Sequence, residues 1–181
     1  MEEYFDLLDE LGNELGEIKL RKEVHRDGDW HKSIHVWIIN EKGDILLQRR
    51  SSNKDSSPNM LDISCTGHIA AGEDYLDAAI REIKEEVNID INNTDLQFIA
   101  TVKRTEQVTP EFIDNEYVNV YLLRTNLKIE EMEKQKEELD DLFYVSYKQF
   151  KKMVEEQNME MLRYDEEFEL LFKMLDSEFD Y

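Results

Sequence analysis

Disulfide bonds are the first thing this chain lacks. One cysteine, Cys65, stands among 181 residues, so no internal disulfide can form. Only two prolines and six glycines are present, which excludes long Pro- or Gly-rich linkers. No apolar run approaches the ~18 residues that a membrane-spanning helix needs. The N-terminal stretch "MEEYFDLLDELG" has no basic region followed by an apolar one, so no secretory signal is expected. Positive charge is also scarce: 22 Lys and Arg face 43 Asp and Glu, a net charge of -21. Such a surface repels a phosphate backbone, which argues against broad nucleic-acid binding and anionic-membrane docking. The simplest expectation is one cytoplasmic domain over residues 1–181.

What is present reads as alternating strands and helices. "YFDLLDELGNELGEIKL" predicts two short strands about a polar turn. "SIHVWIINEKGDILLQRR" predicts a hairpin turning at Asn40–Gly43. Both faces of its first strand are apolar, so cover on both sides is expected. Residues 51–60 read as a polar loop, and "LDISCTGHI" as one short strand. A helix follows, with Asp74 as N-cap, Leu76, Ala79, Ile80, Ile83 and Val87 as its buried stripe, and a stop at Asn88. "LQFIATVKRTE" and "EYVNVYLLRT" predict strands, "LDDLFYVSYKQFKKMVEE" a strand and a helix capped by Ser146. "DEEFELLFKMLDSEF" predicts a terminal helix whose apolar face belongs to the core. N-terminal strands (1–24), a catalytic core (25–160) and a C-terminal helix (161–181) then form an α/β protein with helices on both faces of a mixed sheet.

Glu82, Glu85 and Glu86 occupy an arc of about 100° on the central helix. Carboxylates spaced i, i+3 and i+4 repel one another by a few tenths of a kcal/mol per pair. On a rigid element they can instead converge on a hard cation such as Mg²⁺ or Mn²⁺. Gly67, then Glu73 after five residues, then Arg81-Glu82-Ile83-Lys84-Glu85-Glu86-Val87-Asn88-Ile89 after seven more, resembles the Nudix box. Every specified position is filled except the last Gly, replaced by Asn88, a residue type that can take the same left-handed backbone. A chance match is on the order of one in 10⁵.

The resemblance implies the Nudix fold, an α/β/α sandwich around a mixed β-sheet. It implies metal-dependent attack of water on a phosphoanhydride in a small nucleoside-diphosphate-type or other diphosphate substrate. Glu82, Glu85 and Glu86 match the metal ligands, with the Gly67 carbonyl as a further donor. Arg81 would orient the glutamates, paired with Glu73.

"VHRDGDWHKSIHVW", "QRRSSNKDSSPNMLDIS", "TGHIAAGE" and "DNEYVNVYLL" resemble the branch that includes type I isopentenyl-diphosphate isomerase, over about residues 20 to 125. The resemblance implies a second metal site at His25, His31, His68, Asp114 and Glu116, and diphosphate contacts at Arg50 and Lys54, with Arg49 beside them. Glu116 would bind metal or move a proton. His35 lies outside the match and reads as structural; Trp30, Trp37 and Tyr117 read equally as core or as platforms for a base. The isomerase needs a cysteine where this chain has Thr66, and a hydroxyl is a far poorer acid–base partner than a thiol. Cys65 would point to the opposite face of the strand as a small buried residue. Hydrolysis is therefore the expected reaction. Isopentenyl-diphosphate isomerisation and a non-catalytic diphosphate sensor are the alternatives, and a homodimer is left open.

Overall fold

The computed structural model describes residues 2–53, 57–135, 139–157 and 160–179. β1 (Tyr4–Leu8) and β2 (Glu14–Leu20) pair antiparallel as expected. A helix then appears that the sequence did not signal, α1 (Arg21–Asp27), inside the region expected to be strand. It is two turns long, lacks a side-chain N-cap and buries only Val24 and His25, so no helical period could mark it.

β3 (Trp30–Ile39) is the axis of the fold. It is followed by β4 (Asp44–Arg50), and "LDISCTGHI" divides into β5 (Leu61–Asp62) and β6 (Cys65–His68). The box helix is α2 (Tyr75–Val87); β7 (Leu96–Thr109) and β8 (Phe112–Arg124) form a long antiparallel pair. β9 (Leu139–Ser146), α3 (Tyr147–Glu156) and α4 (Asp165–Phe179) complete the chain. No described helix is long and apolar enough to cross a membrane.

The hairpin expectation needs correction. The turn forms, with Gly43 at φ 77°, but β3 and β4 share only the pair Ile39–Ile45. One edge of β3 is taken by β8, parallel, from Trp30–Asn115 to Ile39–Arg124. The other is divided among β1 at Trp30, β6 at residues 33–36 and β4 at Ile39. β4 parts from β3 and pairs with β5 and β9 instead. Ser64 bridges the fork: its hydroxyl donates to the Leu46 carbonyl (2.6 Å) and accepts the Ile38 N–H (2.8 Å).

Side chains alternate along β3 and feed two cores. Ile34, Val36 and Ile38 pack with Ala79, Ile83 and Val87 of α2. Trp37 and Ile39 pack with Phe150, Phe168, Leu171 and Leu175 of α3 and α4. An α/β/α sandwich around a mixed sheet results, as expected, and the terminal helix is core. Trp37 is fully buried, whereas Trp30 meets Tyr117 at a tilt of 60° beneath the Lys103 ammonium, 4.3 Å from its ring. None of the three lines the cavity described next.

Candidate active site

The Glu82 side chain of the box helix lies directly against Gly67. A Cβ on Gly67 would lie 2.3 Å from Cδ of Glu82, so β6 and α2 close on one another here. The helix starts at Asp74, whose side chain accepts the Leu76 N–H, and stops at Asn88 in the left-handed conformation, φ 54°. Arg81 grips Glu73 with two bonds, Nε to Oε1 at 2.8 Å and Nη2 to Oε2 at 2.9 Å. Its Nη1 also donates to Glu82 (2.7 Å) and Glu85 (3.3 Å), and Nη2 to the His68 carbonyl (3.2 Å). The Arg81 bonds hold the Glu73 carboxyl below its usual range. Burial pushes Glu82 up, and the same guanidinium offsets only part of that. Glu86 is buried and receives the Gln48 amide at 3.3 Å; Glu85 is half exposed. One guanidinium thus stands among four carboxylates, and the surplus is negative.

A second cluster is gathered from four elements. His25 comes from α1, His31 from β3, His68 from β6 and Asp114 from β8. Their ligand atoms lie within 4.8 Å of one another. Oδ1 of Asp114 is 3.4 Å from Nε2 of His25, 3.3 Å from that of His31 and 4.0 Å from that of His68. All four atoms are buried without a hydrogen-bond partner among the described residues. Buried polar atoms are normally satisfied, so four together, all of ligand type, form a group that could hold a cation. His31 Nδ1 lies 3.1 Å from the Asp29 carbonyl, which places its proton there and leaves the Nε2 lone pair for a ligand. Burial opposes the Asp114 charge, yet the three imidazoles outweigh it and hold its carboxyl far below the usual range. Burial likewise works against His31, but Asp114 and Glu116 raise it; for His68 burial wins and the pKa falls. Phe5 stacks on His31 and His68 at 5.1 and 5.0 Å, and Phe112 on His25 at 4.3 Å.

Glu116 stands beside this cluster rather than within it. Oε1 is 3.7 Å from Nε2 of His68, while Oε2 takes a 2.9 Å bond from Arg104. Nothing local in the chain marked Arg104, because its partner lies 12 residues away on the next strand.

The two clusters face a common cavity of about 400 Å³. Glu82, Glu85 and Glu86 line one wall, His68, Asp114 and Glu116 another. Thr66 is in the lining, while Cys65 belongs to the apolar core under α2, where burial drives its thiol pKa up. Arg50 lines the cavity and donates to buried Asp62 at 2.9 Å. Arg49, its neighbour on the strand, instead donates to the Asn59 carbonyl and is not in the lining. Lys54 lies outside the described residues. His35, expected to be structural, is in the lining. Each described arginine of the cavity is paired with a carboxylate: Arg21 with Glu3, Arg50 with Asp62, Arg81 with Glu73, Arg104 with Glu116. Acidic groups outnumber these arginines in the lining, and the donor sets fit a divalent cation.

A family profile described as NUDIX domain matches residues 29–164. Nudix hydrolase 3 of Arabidopsis thaliana is 39% identical over 169 residues, 91% of this chain but only 22% of that protein. An isopentenyl-diphosphate Delta-isomerase of Serratia proteamaculans is 30% identical over 122 residues, 67% of this chain and 66% of the isomerase. The chain thus spans less than two thirds of either relative. Among solved structures, DR0079 from Deinococcus radiodurans superposes with a TM-score of 0.74 at 20% identity, over 94% of this chain and 98% of the other, a likeness of fold.

Proposed function

The chain belongs to the Nudix family, and on that premise we propose that it is a Mg²⁺- or Mn²⁺-dependent hydrolase of a phosphoanhydride bond in a small diphosphate substrate. The observation that carries this reading is the cavity itself: the box carboxylates share its lining with His68 and Asp114, two members of the cluster of four unpartnered ligand atoms. Glu82, Glu85 and Glu86, with the Gly67 carbonyl, would hold one ion; His25, His31, His68 and Asp114, with Glu116 alongside, a second. When bound, such cations neutralise the diphosphate and the charge that develops at phosphorus.

The chain's own residues supply the rest. Arg81 ties Glu73, Glu82 and Glu85 into one rigid set, so the carboxylates are aligned before substrate arrives. Glu85, half exposed at the cavity, would take a proton from the attacking water, with Glu116, buried and held by Arg104, in the same lining. Arg50 contributes a guanidinium toward the phosphates. The test is a panel of nucleoside diphosphate derivatives with Mg²⁺ or Mn²⁺, read by phosphate release. Turnover of at least one, abolished by EDTA, is expected; no turnover across the panel overturns the reading.

The histidine cluster and the isomerase relative favour a second reading, isopentenyl-diphosphate isomerisation. Against it stands Thr66 at the cavity, with the Cys65 thiol on the far face of the strand. Deuterium in dimethylallyl diphosphate recovered from D₂O would decide for isomerisation.

A further inference from the structure

The α4 side of the cavity carries a buried polar pair that the roles above do not use. His35 stands on β3, directly across from Thr66 of β6, and lines the cavity with only 3% of its surface exposed. Its Nδ1 lies 2.7 Å from Oε1 of Glu167 on α4, itself buried. The other oxygen of Glu167 takes the Trp37 indole N–H at 3.2 Å. A carboxylate only accepts, so the imidazole donates from Nδ1. Nε2 has no protein partner among the described residues and is the ring nitrogen left for the cavity. Tyr164 meets the ring edge-on at 4.6 Å and is itself fixed, its hydroxyl donating to Asp62 at 2.9 Å. The Arg104 guanidinium lies 5.1 Å from the same phenol ring.

A core contact alone does not account for this pair. Burying an imidazole and a carboxylate costs desolvation that an apolar pair of similar volume avoids. A carboxylate on one ring nitrogen is, however, how proteins aim the other nitrogen at a ligand. We propose that His35 contacts the substrate as an imidazolium, its Nε2–H donating to an anionic oxygen of the diphosphate, and that Glu167 is its positioning residue. This assignment rests on the hydrolase reading of the same cavity and adds to it a substrate contact outside the box and the histidine cluster.

Two amide replacements separate the roles of the two ring nitrogens. An asparagine amide overlies Nδ1, and a glutamine amide reaches toward Nε2. His35→Asn should keep the bond to Glu167 and the thermal midpoint. It should raise KM about 10-fold or more and weaken Mg²⁺-supported binding of methylenediphosphonate to match. His35→Gln should lower the thermal midpoint yet hold KM and analogue affinity within about threefold of wild type. If His35→Asn matches wild type in both KM and analogue affinity, or if both variants lose affinity only in proportion to lost stability, His35 is structural and the assignment is overturned. A wild type that binds no methylenediphosphonate and hydrolyses no panel member overturns the hydrolase reading, and this assignment with it.

Discussion

The two candidate metal-binding clusters at the cavity are built in opposite ways. The box wall is one helix: Glu82, Glu85 and Glu86 lie within five residues, and their spacing alone sets their geometry. The histidine wall takes one residue from each of four elements and exists only when β3, β6, β8 and α1 are together. The box ligands range from buried to half exposed and are steadied by Arg81, whereas all four atoms of the histidine wall are buried and unpartnered. A contiguous set can lose one member while its scaffold persists; an assembled set binds its ligand and holds its elements together at once.

That contrast can be tested at graded strength. The largest effect is expected at the box: Glu85→Gln should lower kcat by about 10² or more with the thermal midpoint unchanged. Near-full activity would remove Glu85 from its catalytic role. At the other wall, His31→Ala should weaken one class of Mn²⁺ site by more than about 10-fold in a titration and leave the box class intact. It should also lower the thermal midpoint, since His31 is buried between Phe5 and His25. Equal loss of both classes would break the comparison.

The smallest effect concerns pH. Burial opposes the His35 charge, but Glu167 outweighs it and raises the pKa. A raised folded-state pKa stabilises below the unfolded value and is lost as pH rises through the folded one. The stability gap between wild type and Glu167→Gln, ~1 kcal/mol, should therefore narrow from about pH 6 to about pH 9 in urea titrations. Glu116, Arg104 and Tyr164 also face the ring and are common to both proteins. A gap that widens with pH would reverse the assignment of charge.

The same contrast explains what was legible in the chain. The box, both caps of α2, the two-sided cover of β3 and the core role of α4 rest on local spacing, and each is found. The ligand types of the histidine wall were legible through resemblance alone, since no periodicity links residue 25 to residue 114. α1 was too short to show a period, and the splaying of β4 depends on β6 and β8 already occupying β3. The His35–Glu167 pair spans 132 positions, and a Glu in so acidic a helix carries no local mark. Arg49 and Arg50, adjacent in sequence, part because a strand alternates its faces.

The shared edge of β3 has a consequence for how this scaffold tolerates change. His31, His35 and Trp37 occupy odd positions of one strand, while Ile34, Val36 and Ile38 occupy even ones. Inserting a single residue inside β3 would move every residue beyond it from one face of the sheet to the other. A residue added at the turn between β3 and β4, or between β7 and β8, leaves that parity untouched. Segment lengths around the cavity are thus free to drift, and diversification of what it accepts is channelled into the connections, while the strand beneath stays fixed by counting.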